Sequence, residues 1–179
     1  LPFIPGEENF RGFGVFACAT CDGFFFKNKE VAVVGGGNTA IEEAIFLSNL
    51  CKKVTVIHRR SELRAEKILQ DRLMKRKNVE FLWNSSIKEI LGNESPKEVK
   101  KIKVENTNGS VNQIEVEGLF IAIGHKPATE IFKESLTMDN EGYIFTESDS
   151  TKTKIDGVFA AGDVTDKIYR QAVTAAGMG

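Results

Sequence analysis

The sequence is poor in the features that would place it in a membrane, outside the cell or on a nucleic acid. No stretch approaches the roughly 18 consecutive apolar residues that a membrane-crossing helix needs. Only three cysteines occur in 179 residues. That is too few, and of the wrong parity, for a disulfide scaffold, so a reducing compartment, the cytoplasm, is expected, where any disulfide would be catalytic. An excess of one charge is missing as well. Lys plus Arg total 24 against 25 Asp plus Glu, which gives no electrostatic reason to expect nucleic acid or an anionic membrane as partner. The first ten residues hold two prolines and two glutamates and match no signal peptide, and position 1 is not Met. The chain is therefore expected to begin inside a longer protein.

What is present suits a globular α/β chain. Hydrophobic residues make up 41% and charged residues 27%, enough to bury a sizeable core across one full domain and part of another. The organising stretch is residues 31–40, an apolar run broken by Gly35, Gly36 and Gly37 and followed by Asn38, Thr39 and Ala40. Gly35, Gly37 and Ala40 make the pattern G-x-G-x-x-A between a predicted strand and a predicted helix over 38–50. A dinucleotide site needs this order. The strand must turn without a Cβ in the way, the pyrophosphate must approach the backbone, and the helix must start with free N–H groups facing the anion. A plain strand-to-helix turn carries the same glycines, and the surrounding pattern is what favours the nucleotide. Glu42, in the first turns, is within reach of a bound ribose or nicotinamide, whereas Glu42 and Glu43 both lie off the apolar stripe and read as solvated surface by default.

The next predicted strand, 54–57, should end near a carboxylate if the ligand is NAD. His58, Arg59 and Arg60 stand there instead, with Arg64 four residues on. A cationic cluster at that place favours a 2′-phosphate, because guanidinium forks hold phosphate oxygens in charge-assisted pairs. A solvated basic edge is the bland alternative. Upstream, Cys18 and Cys21 form a C-x-x-C followed directly by Asp22. Beside a βαβ pattern, this spacing points to thiol–disulfide chemistry, with the carboxyl as proton carrier. Half a zinc site is the rival. No second C-x-x-C completes it, and Cys51, His58 and His125 would have to converge. Idle thiols are the other.

Around these motifs the pattern predicts an irregular lead-in over 1–16 and a packing role for Phe24, Phe25 and Phe26. It then gives a helix from about 61–63 to 77, a strand over 79–83 and short antiparallel strands within 86–116. An apolar strand at 119–123 returns to the main sheet. Beyond Lys126 and Pro127 a short apolar strand leads to Gly162 and Asp163, then to a helix over about 168–176. Asp163 there reads equally as a polyhydroxyl ligand or as part of a capped turn.

Taken in order, Cys18-Ala19-Thr20-Cys21-Asp22-Gly23, Gly35 to Ala40, His58-Arg59-Arg60 with Arg64, Ala122-Ile123-Gly124-His125, Gly162-Asp163-Val164 and Tyr169-Arg170-Gln171-Ala172 closely resemble the bacterial-type, low-molecular-weight thioredoxin reductases over essentially the whole chain. The resemblance implies an α/β, Rossmann-like FAD/NAD(P)-binding fold: three layers, a parallel sheet and an antiparallel β-meander insertion. It implies an NADPH-binding domain over 1–125 carrying the redox C-x-x-C, and over 126–179 part of the C-terminal segment of a split FAD domain. The family's first FAD-binding segment would precede Leu1, and the last helix stops at Gly179, so these residues alone are not expected to turn over.

On the same resemblance, NADPH reduces FAD and FAD reduces a Cys18–Cys21 disulfide, with Asp22 as acid–base. The dithiol then reduces thioredoxin, in a protein that is commonly a homodimer. Gly35, Gly36, Gly37, Asn38, Thr39, Ala40 and Glu42 would hold the NADPH pyrophosphate and ribose. His58, Arg59, Arg60 and Arg64 would hold the 2′-phosphate end. Ile123, Gly124, Gly162, Asp163, Val164, Arg170, Gln171 and Ala172 would complete the cofactor contacts. No metal is expected. A reductase serving a peroxiredoxin shares this core but usually differs between its cysteines, so Ala19 and Thr20 lean towards thioredoxin. A non-catalytic NADP-binding module is the reading from another class.

Overall fold

The computed structural model describes residues 4–179, which divide into two compact units, 4–124 and His125–Gly179. Pro2, part of the expected lead-in, lies outside the described residues.

The first unit runs α1 (Glu7–Phe10), β1 (Val15–Phe16), α2 (Ala19–Asp22), β2 (Glu30–Val34), α3 (Asn38–Ser48), β3 (Lys53–Ile57), α4 (Lys67–Met74) and β4 (Val79–Leu82), then β5 (Ser85–Glu94), β6 (Lys97–Asn106), β7 (Val111–Glu115) and β8 (Gly118–Ile121). A parallel sheet in the order β1-β8-β2-β3-β4 forms its middle, and β5-β6-β7 form a separate antiparallel sheet.

Side chains alternate along a strand, so each strand of the parallel sheet feeds two cores. Val31, Val33, Val54, Val56 and Phe120 pack with Ala40, Ile41, Ala44 and Leu47 of α3 and Leu73 of α4. Ala32, Ile57 and Leu119 face the other way, into a second core with Ile90, Val99 and Ile102 of the antiparallel sheet. The result is three layers: helices, parallel sheet, meander. Near-continuous apolar runs in β2, β3 and β8 follow from burial on both faces.

Several local expectations differ from the structure. The lead-in is not wholly irregular: Phe10 and Val15 are buried in the second core, and this draws out α1 and the edge strand β1. The helix expected from residue 61 begins only at Lys67, because residues 62–66 are tied elsewhere, as described below. Of the three phenylalanines only Phe26 packs, against Phe16 and Phe120, while Phe24 and Phe25 are exposed. In the second unit, Phe159 makes one isolated bridge to Lys152 and is exposed, so no strand forms before Gly162.

That second unit is built from turns and short helices around a small core of Leu136, Ile144 and Ala160. Gly162 begins a single 3-10 turn to Val164, and the last helix, α5, covers Ala172–Met178. It starts later than expected because Arg170 takes a left-handed conformation, φ 49°, and Gln171 is extended.

Candidate active site

Two arrangements in the first unit carry chemistry, and α3 touches both. Where β2 ends, Gly35 turns the chain with φ 148°, and a side chain there would collide with the Ala122 carbonyl and Ala40 Cβ. Only glycine fits this crossing between β2, β8 and α3. Gly37, by contrast, has open space where a Cβ would stand, directly before the first N–H groups of α3. Those N–H groups have no partner within the helix. The turn therefore presents an unobstructed, positively polarised surface.

Gly36 does a different job. Its carbonyl accepts the Arg64 and Ala65 N–H groups at 2.7 and 3.1 Å. The Asn38 side chain accepts the Glu66 N–H at 2.8 Å and donates to Glu66 Oε1 at 3.3 Å. His58 Nε2 donates to the Glu62 carbonyl at 3.0 Å, with its ring pressed against Gly36. Residues 62–66 are thus held at the glycine turn, and helix α4 starts only after them, at Lys67. Along that segment and β3's end, Arg59, Arg60 and Arg64 line one cleft of about 430 Å³ together with Ser61, Glu62, Leu63 and Asn84. All three arginines are exposed.

His58 is not on that rim. It is 6% exposed. Burial lowers its pKa and the charges of Arg60, Arg59 and Arg64 lower it further, against the opposing Glu62 hydrogen bond. It stands as a neutral strut beneath the cleft. Asn38 likewise commits its side chain to the loop, leaving its backbone N–H at the turn. Thr39 is half-buried, Ala40 is in the core, and Glu42 is exposed.

The second arrangement is the sulfur pair. Cys18 and Cys21 form a disulfide with Cα atoms 5.4 Å apart. Cys18 caps α2, its Sγ accepting the Cys21 N–H at 3.2 Å. Cys21 is exposed and Cys18 half-buried, so a protein substrate could reach the outer sulfur; Asp22 closes the turn, half-buried. The third cysteine, Cys51, sits in the helix-side core, where burial pushes its thiol up to about 11 and makes it a poor nucleophile.

A residue that sequence reasoning left on the surface joins the two arrangements. Glu43 of α3 accepts the Ala19 N–H at 3.3 Å. Its other oxygen is buried with no hydrogen-bond partner, and burial raises its pKa to about 7. Helical spacing held the signal, since Glu43 stands three residues after Ala40 and four before Leu47, both fully buried.

At the end of β8, Ala122 donates to the Val34 carbonyl beside the glycine turn, and Ile123 and Gly124 follow as exposed residues. In the second unit, Gly162 has φ 73° and Asp163 is exposed just after it; Val164 is half-buried. Arg170 donates to the Tyr143 hydroxyl and the Lys167 carbonyl, and the Gln171 and Thr174 side chains cap α5, which begins at Ala172. This loop is shaped by a residue the sequence reading passed over. Asp166, 5% exposed, accepts the N–H groups of Ile168, Tyr169 and Arg170 and the Thr174 hydroxyl.

Similarity to known proteins agrees with the geometry. Thioredoxin reductase of Rickettsia felis is 56% identical over 177 residues, 98% of this chain and 57% of the relative. Thioredoxin reductase of Coxiella burnetii is 52% identical over 186 residues, again 98% of this chain and 57% of the relative. The crystal structure of thioredoxin reductase from Streptococcus pyogenes superposes with a TM-score of 0.90 at 45% identity, covering 99% of this chain and 57% of that one. The chain thus spans a little over half the length of the curated relatives it matches. The description Pyridine nucleotide-disulphide oxidoreductase matches residues 1–179, and the chain belongs to that family.

Proposed function

We propose that the protein carrying this chain is an NADPH-dependent flavoprotein that reduces oxidised thioredoxin through FAD and the Cys18–Cys21 disulfide. The observation that supports it most is the placement, in one compact unit, of an accessible disulfide and a glycine turn with a cationic cleft fastened to it. Relatives named thioredoxin reductase, matched over 98% of this chain, favour thioredoxin as the substrate.

The residues fit a phosphorylated dinucleotide. Open space at Gly37 and the free N–H groups of α3 suit a pyrophosphate, and Glu42 stands exposed one turn on for a ribose hydroxyl. Arg59, Arg60 and Arg64 would hold the 2′-phosphate, with Asn38, Thr39, Ala40 and His58 shaping the cradle from behind. In the second unit, exposed Asp163 after the Gly162 turn, Val164 and the Arg170–Gln171–Ala172 loop suit contacts to FAD. In the first unit, Ile123 and Gly124 stand exposed at the end of β8 as further cofactor contacts. On this reading residues 1–125 are the NADPH domain and 126–179 part of the FAD domain of a cytoplasmic homodimer.

When bound, FAD would supply the link between hydride from the nicotinamide and electron-pair chemistry at sulfur. Cys18 and Cys21 accept those two electrons, and Asp22 exchanges the proton that separates a thiolate from a thiol. The accessible thiolate then attacks the partner's disulfide, and the second sulfur resolves the mixed disulfide. The test is NADPH oxidation by the protein with thioredoxin and a disulfide dye. Turnover that depends on thioredoxin is expected. A response only to a peroxiredoxin would favour that system, and no turnover with either would favour a binding module.

A further inference from the structure

We propose that Glu43 is a positioning residue for the redox disulfide, holding the peptide group after Cys18 in place through the Ala19 N–H. The proposal rests on reading Cys18–Cys21 as a redox couple. α2 is a single turn, Ala19–Asp22, so its opening N–H groups have no partner inside it. Ala19 is fully buried, which denies its N–H water. Glu43 Oε1 is the acceptor that the fold supplies, at 3.3 Å. Just beyond, Gly23 lies so close to Leu47 and Phe46 that a Cβ would stand 2.9 and 3.2 Å from their side chains. The sulfur-bearing turn is therefore fastened to α3 at both ends, by a hydrogen bond before Cys21 and by packing after it.

The consequence concerns the reduced state. When two electrons and two protons open the bond, each sulfur becomes a thiol, and Cys18 and Cys21 are then held near each other only by backbone. A tether on the Cys18–Ala19 peptide limits how far the thiols separate, so ring closure loses less entropy. Without it the dithiol gains freedom, and the equilibrium moves towards the reduced form.

The protein is equilibrated with reduced and oxidised dithiothreitol at pH 6, where the Glu43 carboxyl largely carries its proton. Thiols are then alkylated, and the Cys18–Cys21 peptide is measured by mass. In this exchange dithiothreitol closes to its cyclic disulfide as the protein disulfide opens, so electrons and protons balance. Glu43→Ala is expected to shift the equilibrium between about twofold and about fivefold towards the dithiol, the full worth of one ordinary hydrogen bond being the ceiling because the bond also holds in the reduced form. Glu43→Gln, whose amide oxygen still accepts, is expected to shift it less. An unchanged Glu43→Ala would overturn the proposal, as would Glu43→Gln shifting as far as Glu43→Ala. Should the variants not fold, exchange of the Ala19 amide in unmodified protein decides. Protection in both redox forms supports the tether, and rapid exchange in either refutes it. Neither readout uses NADPH or thioredoxin, so failure of thioredoxin reduction with a normal shift would strike only the proposed function.

Discussion

Gly36→Ala is the substitution that most directly probes how the proposed nucleotide cradle is built. Gly36 is not at a positive φ, so backbone strain is not the issue; the added Cβ would fall inside the His58 imidazole, against Cε1, Nδ1 and Nε2. That ring has no easy retreat. It is 6% exposed, its Nε2 is bonded to the Glu62 carbonyl, and its edge meets Trp83 at 6.4 Å between ring centres. Overpacking a filled site costs about 1–3 kcal/mol, and losing the His58–Glu62 bond adds about 1 kcal/mol. A destabilisation of about 3 kcal/mol is therefore expected in urea unfolding. Because the Gly36 carbonyl also anchors Arg64 and Ala65, NADPH affinity should fall by about tenfold or more as the arginine loop shifts. Adding His58→Ala makes room for the methyl group, so the double variant should be more stable than the two single losses predict, by about 0.5–3 kcal/mol. A Gly36→Ala protein within about 0.5 kcal/mol of the parent, or strictly additive single losses, would refute the packing argument.

Replacing Arg59 and Arg60 by Ala should weaken NADPH about tenfold for each exposed guanidinium removed and leave NADH unchanged; equal effects on both nucleotides in a competition titration would remove the 2′-phosphate assignment. Asp166 is desolvated, which raises its pKa, but the N–H groups of Tyr169, Arg170 and Ile168 and the Thr174 hydroxyl outweigh this and hold it low. A depressed carboxyl stabilises the fold above its unfolded pKa of about 3.9 and loses that contribution as pH falls through the folded value. Asp166→Asn should therefore lower Tm at pH 7 and show a smaller further loss between pH 5 and about pH 3 than the parent. Glu43 has the opposite sign. Its pKa rises to about 7, so its ionisation costs stability as pH climbs from its unfolded value to the folded one. Glu43→Gln should gain Tm relative to the parent at pH 8 but not at pH 5, and a gain at both would contradict the assignment.

The main strands and helices were legible because periodicity reports burial, whereas the three layers came from the family resemblance. Continuous apolar runs in β2, β3 and β8 and the glycine pattern at Gly35 and Gly37 fixed strand, turn and helix. What escaped was decided by contacts distant in sequence. Nothing local says that residues 62–66 bond to Gly36 and Asn38, so a helical pattern from residue 61 read as helix when its first turn is a tethered loop. His58 looked like one more cation beside two arginines, and only packing against Gly36 shows it as a buried strut. Phe24 and Phe25 are apolar and adjacent to a buried Phe26, yet a 3-10 turn points them outward. Glu43 carries structure through a hydrogen bond to the backbone of another segment, and Asp166 through bonds to the N–H groups two to four residues on, neither of which composition records.

The central claim is that electrons pass through Cys18 and Cys21 on their way to a protein disulfide. Its most direct test is a Cys18→Ser, Cys21→Ser double variant of the complete flavin-loaded protein, followed by rapid mixing with NADPH and then with oxidised thioredoxin. Flavin bleaching at close to the parent rate with thioredoxin left oxidised is the predicted result. Thioredoxin reduced at the parent rate would contradict the account.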